Sequence, residues 1–222
     1  VILSRELGKI AAFAKGARRP NSHLIGVTRP FIFGTFEVYR GRDSYTIQKA
    51  NVTNYFEELV SDLDGVLYGY YFAELAEYYG RENLDAADMI NLLYVAFKAL
   101  VNKSLPNELV RYIYEIRLIA VNGECPDFFS CAGCGSEKEL QLYSYKENGM
   151  YCVECAASSG DGIVLQSSTL YTLQYIITAP LTKLFNFVVK ADVLNELKKV
   201  VNRIEFITFD KHFKSKEMLD IG

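Results

Sequence analysis

Cys131-Ala132-Gly133-Cys134-Gly135 and Cys152-Val153-Glu154-Cys155 are two C-x-x-C turns, with seventeen residues between Cys134 and Cys152. Each turn is tight enough for its two sulfurs to face one point. Between them, residues 140–145 and Met150-Tyr151 read as strands joined at Lys146-Glu147-Asn148-Gly149. Such a hairpin folds the second turn back onto the first and offers four thiolates as a tetrahedron, the arrangement zinc prefers. The segment is too short for a hydrophobic core of its own. Metal binding would supply its folding energy, about 10–16 kcal/mol in small sites of this kind. The expectation is one structural Zn2+ held by Cys131, Cys134, Cys152 and Cys155, with no coordination position left for a catalytic water. The alternative is two redox dithiols or disulfides. Disulfides are disfavoured in a reducing cytosol, and the paired motif is far more specific than a lone C-x-x-C. Cys125 falls outside the pattern and is expected to be a packed thiol.

Outward from this knuckle (129–158) the pattern is helical on both sides, 52–128 before it and 159–222 after it. Thr53 or Asn54 is expected to cap a helix from Tyr55, with Phe56, Leu59, Val60 and Leu63 at helical spacing. A second helix runs from about Gly65 to Tyr79 and stops at Gly80, a third covers 85–101, and a fourth starts at Pro106 and ends before Gly123. Ser167 or Ser168 caps another that ends before Pro180, residues 181–189 form a short one, and 191–209 is strongly amphipathic. Several tyrosines between Tyr68 and Tyr79 are expected to pack within the bundle.

The front of the chain differs. Residues 1–51 read as short strands and turns: a short apolar run from Lys9 to Lys15, a polar stretch, Phe31–Tyr39, a hairpin turn at Arg40-Gly41-Arg42-Asp43, then Tyr45–Ala50. Short strands without a helix signal suggest a small barrel. Val1–Ser4 reads as the end of a strand, so a first strand is expected to be missing. Residues 1–50 carry nine Lys/Arg against three acidic residues, a net of +6, and the remainder carries fifteen against twenty-four, a net of -9. A basic front on an acidic body suggests a polyanion-binding module joined to something else. The fold class expected is α+β and multidomain, a small N-terminal β-barrel with a C-terminal helical bundle that carries an inserted four-cysteine zinc knuckle.

No apolar run approaches the ~18 residues that span a bilayer, and no signal-peptide pattern opens the chain. Its two histidines, His23 and His212, sit in no nucleophile or metal context. Neither a G-x-S-x-G, a P-loop nor a G-x-G-x-x-G is present. Glu57, Glu58, Asp62 and Asp64 cluster at helix ends and outer faces, where solvation explains them. The chain reads as a non-enzyme.

Two stretches resemble the RecO family of bacterial recombination-mediator proteins. One is Gly8-Lys9-Ile10 leading into Ala14-Lys15-Gly16-Ala17-Arg18-Arg19-Pro20. The other is Tyr114-Glu115-Ile116-Arg117-Leu118, then Gly123, Pro126 and the Cys131 turn, with Cys152–Cys155, Ser167 and Ala179-Pro180-Leu181 in the same order. The resemblance spans essentially the whole chain. It implies that the N-terminal barrel is OB-like, and it implies binding of single- and double-stranded DNA, strand annealing, partnership with RecR, and binding of the acidic tail of single-stranded DNA-binding protein (SSB) during recombinase loading. With no spanning or signal segment read, the protein is expected to be cytoplasmic and nucleoid-associated. DNA would be held by Lys9, Lys15, Arg18, Arg19, Arg29, Arg40 and Arg42, in loops, at a hairpin tip and at strand entries. A basic groove tracks phosphates while aromatic faces stack bases, and Tyr39 and Tyr45 flank the basic turn. The SSB tail would want an apolar slot rimmed by Lys183, Lys190, Lys198, Lys199 and Arg203. Two other readings remain. One is a zinc-containing scaffold whose basic module binds an acidic protein, and the other is a zinc-dependent hydrolase or redox enzyme with an open coordination site.

Overall fold

The chain opens on a tight antiparallel hairpin of β1 (Ile2–Ser4) and β2 (Gly8–Ile10), paired Ile2 to Ile10 and Ser4 to Gly8. Gly8 has φ +61°, and a Cβ there would lie 2.0 Å from the Arg81 carbonyl oxygen, so only glycine fits. The structure is a computed structural model describing residues 1–42, 44–158 and 160–221. It divides into two units, residues 1–103 with 213–222, and residues 104–212.

In the first unit, β3 (Ala12–Phe13) runs parallel to β5 (Tyr45–Asn54), and β4 (Phe33–Arg40) runs antiparallel to β5, giving the order β3-β5-β4. Register shifts at Phe33/Gly34 and Glu37/Val38 bend the long β4–β5 hairpin. Val1–Ser4 contributes a strand, β1, to a two-stranded sheet of its own. Among the described residues these are two separate sheets, with no pairing that closes them into one barrel. Asp43, in the expected turn, lies outside the described residues.

The strands do not stop at residue 50. β5 continues to Asn54, whose side-chain oxygen accepts the Phe56 N–H at 2.8 Å, and Phe56 itself is left-handed at φ 47°. The expected helix from Tyr55 is therefore only the short α1 (Glu57–Ser61), and Asp62, extended at ψ 109°, separates it from α2 (Leu63–Tyr79). That break leaves Val60 and Leu63 exposed, while Phe56 and Leu59 are buried. α3 (Ala87–Val101) follows, its first turn capped by Asp85, which accepts the Ala87 N–H at 2.7 Å.

An aromatic seam ties α2 and α3 to the strands. Phe31 lies 4.9 Å from Tyr70 and 5.2 Å from Phe97, Phe33 lies 4.5 Å from Tyr94, and Phe56 sits 5.4 Å from Phe97. Such pairs contribute about 0.5–1.5 kcal/mol each beyond area burial. Gly69 of α2 leaves room for the Phe31 ring, 3.2 Å from where a Cβ would stand. α2 does end at Gly80, but with φ -59°. Glycine is needed there because a Cβ would come within 2.9 Å of the Lys9 side chain. Late in the chain Phe213 and α7 (Lys214–Ile221) rejoin this unit: Phe213 packs on Tyr71 and Tyr78, and Glu74 accepts the Ser215 N–H at 3.1 Å. Three helices of the stretch expected as one bundle thus pack with the strands, because the aromatic side chains of both face one another.

The second unit is built on α4 (Asn107–Val121), buried at nearly every position from Leu109 to Ile119 and packed by α5 (Ser167–Thr178) and α6 (Ala191–Thr208). α4 closes at Gly123, which takes φ +77°. Arg111 on α4 is buried and meets two carboxylates, Glu115 at 2.7 Å and Glu205 of α6 at 3.7 Å. α5 starts after Gln166, whose N–H and side-chain amide both donate to Glu196 of α6 at 3.0 and 3.1 Å. That carboxylate replaces the serine cap expected at Ser167 or Ser168. Residues 181–189 are turns and extended chain, with Leu184 alone among them fully buried, so the short helix expected there is absent. Between α4 and α5 stands a small sheet, β6 (Leu140–Ser144), β7 (Gly149–Cys152) and β8 (Gly162–Val164), in the order β7-β6-β8. Among the described residues, no helix is long and apolar enough to cross a membrane.

Candidate metal centre and cationic surface

The β6–β7 hairpin pairs Leu140 with Cys152 and Ser144 with Gly149, bringing the second cysteine turn back over the first. The first turn is built by its own backbone. Gly135 donates to the Cys131 carbonyl at 2.8 Å, Cys131 donates to the Ser136 carbonyl at 2.8 Å, and Ala132 donates to Met150 of β7 at 2.7 Å. As a result the sulfurs of Cys131, Cys134, Cys152 and Cys155 all lie within 4.8 Å of one another. The Cys134 and Cys152 sulfurs are 3.8 Å apart. A tetrahedron with metal–sulfur bonds of about 2.3 Å has sulfur–sulfur edges of about 3.8 Å, so the set fits a metal ion. The arrangement can hold one, and it is the sole such group of His, Cys, Asp or Glu among the described residues. No cysteine is in a disulfide.

The electrostatics agree. Burial opposes ionisation of Cys131, but the N–H groups of Cys152, Cys134 and Gly133 aim at its sulfur and bring the thiol down to about 6. Hydrogen bonding with the Cys134 and Cys152 thiols pushes Cys155 up to about 12. Cys131 thus ionises more readily than an ordinary thiol and Cys155 less readily. Gly133 keeps the cage open, since a Cβ there would lie 3.3 Å from the Cys155 sulfur. Cys125 stands outside the group, its thiol pushed up to about 12 by burial, as expected of a packed residue. The hairpin is pinned to the helices around it. Phe128 stacks on Tyr143 at 5.8 Å, and Arg203 of α6 donates to the Tyr145 carbonyl at 2.7 Å.

The sequence-derived cations fall into two groups. Lys9, on β2, points its amine at the Glu77 carbonyl at 2.7 Å and so serves the C-terminal end of α2. Lys15, Arg18 and Arg19 lie on consecutive turns after β3, Arg29 follows a short 3-10 turn at Gly26–Thr28, and Arg40 and Arg42 stand at the β4–β5 tip. These six are exposed, and none forms an ion pair among the described residues. Tyr39 is 63% exposed, whereas Tyr45 is buried and donates to Glu82 at 3.0 Å, which removes it as a stacking platform. Phe13 on the edge strand β3 is 61% exposed. The sequence shows Phe13 only as part of an apolar run, and its adjacency to Lys15 was the available signal. Phe13, Arg40, Arg42 and Glu82 line a cleft of about 540 Å³.

Of the five cations expected around a peptide slot, Lys190 alone lines the groove that the second unit carries. This groove, about 550 Å³, lies between α5 and α6 and is walled by Tyr171, Tyr175, Phe187 and Val188. Lys198 instead pairs with Glu108 at 3.5 Å, and Arg203 is spent on Tyr145.

These features define a protein of mixed α and β architecture with a four-cysteine knuckle and a cationic strand module. Residues 1–56 match the family model described as Recombination protein O N terminal, and residues 60–217 match Recombination protein O C terminal. The chain belongs to the RecO family of DNA repair proteins. A DNA repair protein RecO of Acetivibrio thermocellus is 31% identical over 98% of this chain and 87% of its own length. One from Caldanaerobacter subterraneus is 26% identical over 97% and 87% of the two lengths, and one from Bacillus subtilis is 27% identical over 99% and 86%.

Proposed function

We propose that the chain is a non-enzymatic recombination mediator of the cytoplasm and nucleoid. It binds single- and double-stranded DNA, anneals complementary strands and, with RecR, loads recombinase onto SSB-coated strands. The observation that carries this is the set of six exposed cations on the first unit without ion-pair partners among the described residues. Exposed cations without ion-pair partners can neutralise phosphates, and binding gains affinity as the nucleic acid sheds its own condensed counterions. The strands of that unit serve as the OB-like barrel of the family. Of the seven cations proposed from sequence, Lys15, Arg18, Arg19, Arg29, Arg40 and Arg42 track phosphates, and Lys9 holds α2.

The metal is zinc, bound by Cys131, Cys134, Cys152 and Cys155. With four thiolate ligands it supplies folding energy to the hairpin and no chemistry. The groove of Tyr171, Tyr175, Phe187 and Lys190 receives the acidic, apolar-ended SSB tail.

Salt titration against labelled single-stranded DNA tests the proposal. With five of these six cations on phosphates at once, the log–log slope is near -3.5, about a three-thousandfold loss of affinity per tenfold rise in salt. Reversing both Arg18 and Arg19 to Glu largely abolishes binding. A flat salt response, or a double reversal with wild-type affinity, sinks the assignment.

A further inference from the structure

The cleft beside β3 has a composition that phosphate tracking does not use. Its edge is the exposed ring of Phe13, held on a strand that pairs with β5 at Tyr45 and Thr46. Its opposite lip is the Arg40-Gly41-Arg42 tip, where Gly41 donates to the Ser44 carbonyl at 2.8 Å. Behind it the Arg40 guanidinium lies over the Tyr45 ring, 5.7 Å from the centroid, and the Tyr45 hydroxyl donates to one Glu82 oxygen at 3.0 Å. Phe13 stacks on no other ring among the described residues, and its exposed ring shares the cleft with Arg40 and Arg42.

We propose that this cleft takes one unpaired base of a DNA single strand, stacked on Phe13, with its sugar-phosphate turned out toward Arg42. The inference rests on the DNA-binding reading above. The exposed Glu82 carboxylate in the cleft wall repels phosphate while Arg42 attracts it, so the base lies on the Glu82 side and the phosphate on the Arg42 side. Glu82 spends one oxygen on Tyr45 and offers the other as an acceptor, which favours a base bearing an exocyclic amino group over thymine. A volume of about 540 Å³ lies within the range of small-ligand sites, about 300–1,000 Å³. Stacking on one ring is worth about 1–3 kcal/mol per base, too little to hold a free nucleotide. The cleft therefore acts on a strand already held by Lys15, Arg18 and Arg19, and a base locked in a duplex cannot reach it. It biases a charge-driven binder toward single strands.

Fluorescence anisotropy of the full chain with labelled oligo(dC), oligo(dT) and a blunt duplex tests this at fixed salt. Phe13→Leu keeps apolar bulk without a stacking face. It weakens oligo(dC) binding by about five- to a hundred-and-sixtyfold and leaves duplex affinity unchanged, and Phe13→Tyr restores the wild-type value. Glu82→Gln erases the preference for oligo(dC) over oligo(dT). Melting curves of each variant matching wild type show that the fold is intact, as the exposure of Phe13 leads one to expect. If wild type binds oligo(dC) and Phe13→Leu binds it equally well, or loses single strand and duplex alike, the base site is wrong and the mediator reading stands. If wild type binds no DNA, both fall.

Discussion

Arg111→Met tests the buried charge cluster of the second unit. Arg111 is 8% exposed and is flanked by Glu115 at 2.7 Å and Glu205 at 3.7 Å. Burial, then the Glu205 charge, pushes the Glu115 carboxyl up to about 8 against the pull of Arg111. At neutral pH the trio is thus close to neutral: one guanidinium, one carboxylate and one carboxylic acid. Methionine fills the space but leaves a carboxylate without its cation, and breaking a buried pair in this way costs about 3–5 kcal/mol. Unfolding entropy is about 2.1 cal/mol/K per residue near 60 °C. Over residues 104–212 the Tm of that unit should fall by about 13–22 °C. The loss should shrink toward pH 5, where protonation removes the orphaned charge. Thermal melts by far-UV circular dichroism across that pH range measure it. A melt within about 3 °C of wild type at pH 7 would refute the claim that Arg111 neutralises this site.

Glu115 gives a related pH signature. Its folded pKa is raised above the unfolded value of 4.5, so its contribution to stability is full below that value and is lost as pH rises through about 8. Glu115→Gln should flatten the decline in melts between pH 5 and pH 8. Stripping the metal with a zinc chelator should unfold the hairpin while α4–α6 stay helical, which near-UV and far-UV dichroism separate. Cys125→Ser should retain one metal per chain by colorimetric release, whereas Cys152→Ser should not. Lys9→Ala should lower stability by about 0.3–1 kcal/mol in urea titration and leave DNA affinity unchanged, because its amine is engaged by the Glu77 carbonyl. Gly8→Ala should prevent accumulation of folded protein in expression trials, since the added carbon would stand 2.0 Å from a backbone oxygen.

The knuckle is legible because spacing alone constrains it: two C-x-x-C turns joined by a hairpin leave few places for the sulfurs. The long helices are legible by periodicity, and Gly123 by its role at a helix end. What escapes a sequence reading depends on partners far along the chain. The alternation in residues 31–39 and 45–50 marks strands but cannot tell that Phe31, Phe33 and Phe56 meet Tyr70, Tyr94 and Phe97. For that reason local pattern puts the strands and the first three helices in different domains. Tyr45 looks like a stacking residue because nothing local reveals that Glu82 takes its hydroxyl. A serine looks like the start of α5 because a carboxylate thirty residues later leaves no trace beside it. Lys9 and Lys15 look alike as letters, and only the end of α2 separates their roles.

The return of Phe213 and α7 to the first unit carries a consequence for synthesis. During translation, residues 1–103 leave the ribosome without the helix that covers Tyr71 and Tyr78, and the whole of the second unit must follow before that helix arrives. Until then the nascent segment presents an uncovered aromatic face at Tyr71 and Tyr78.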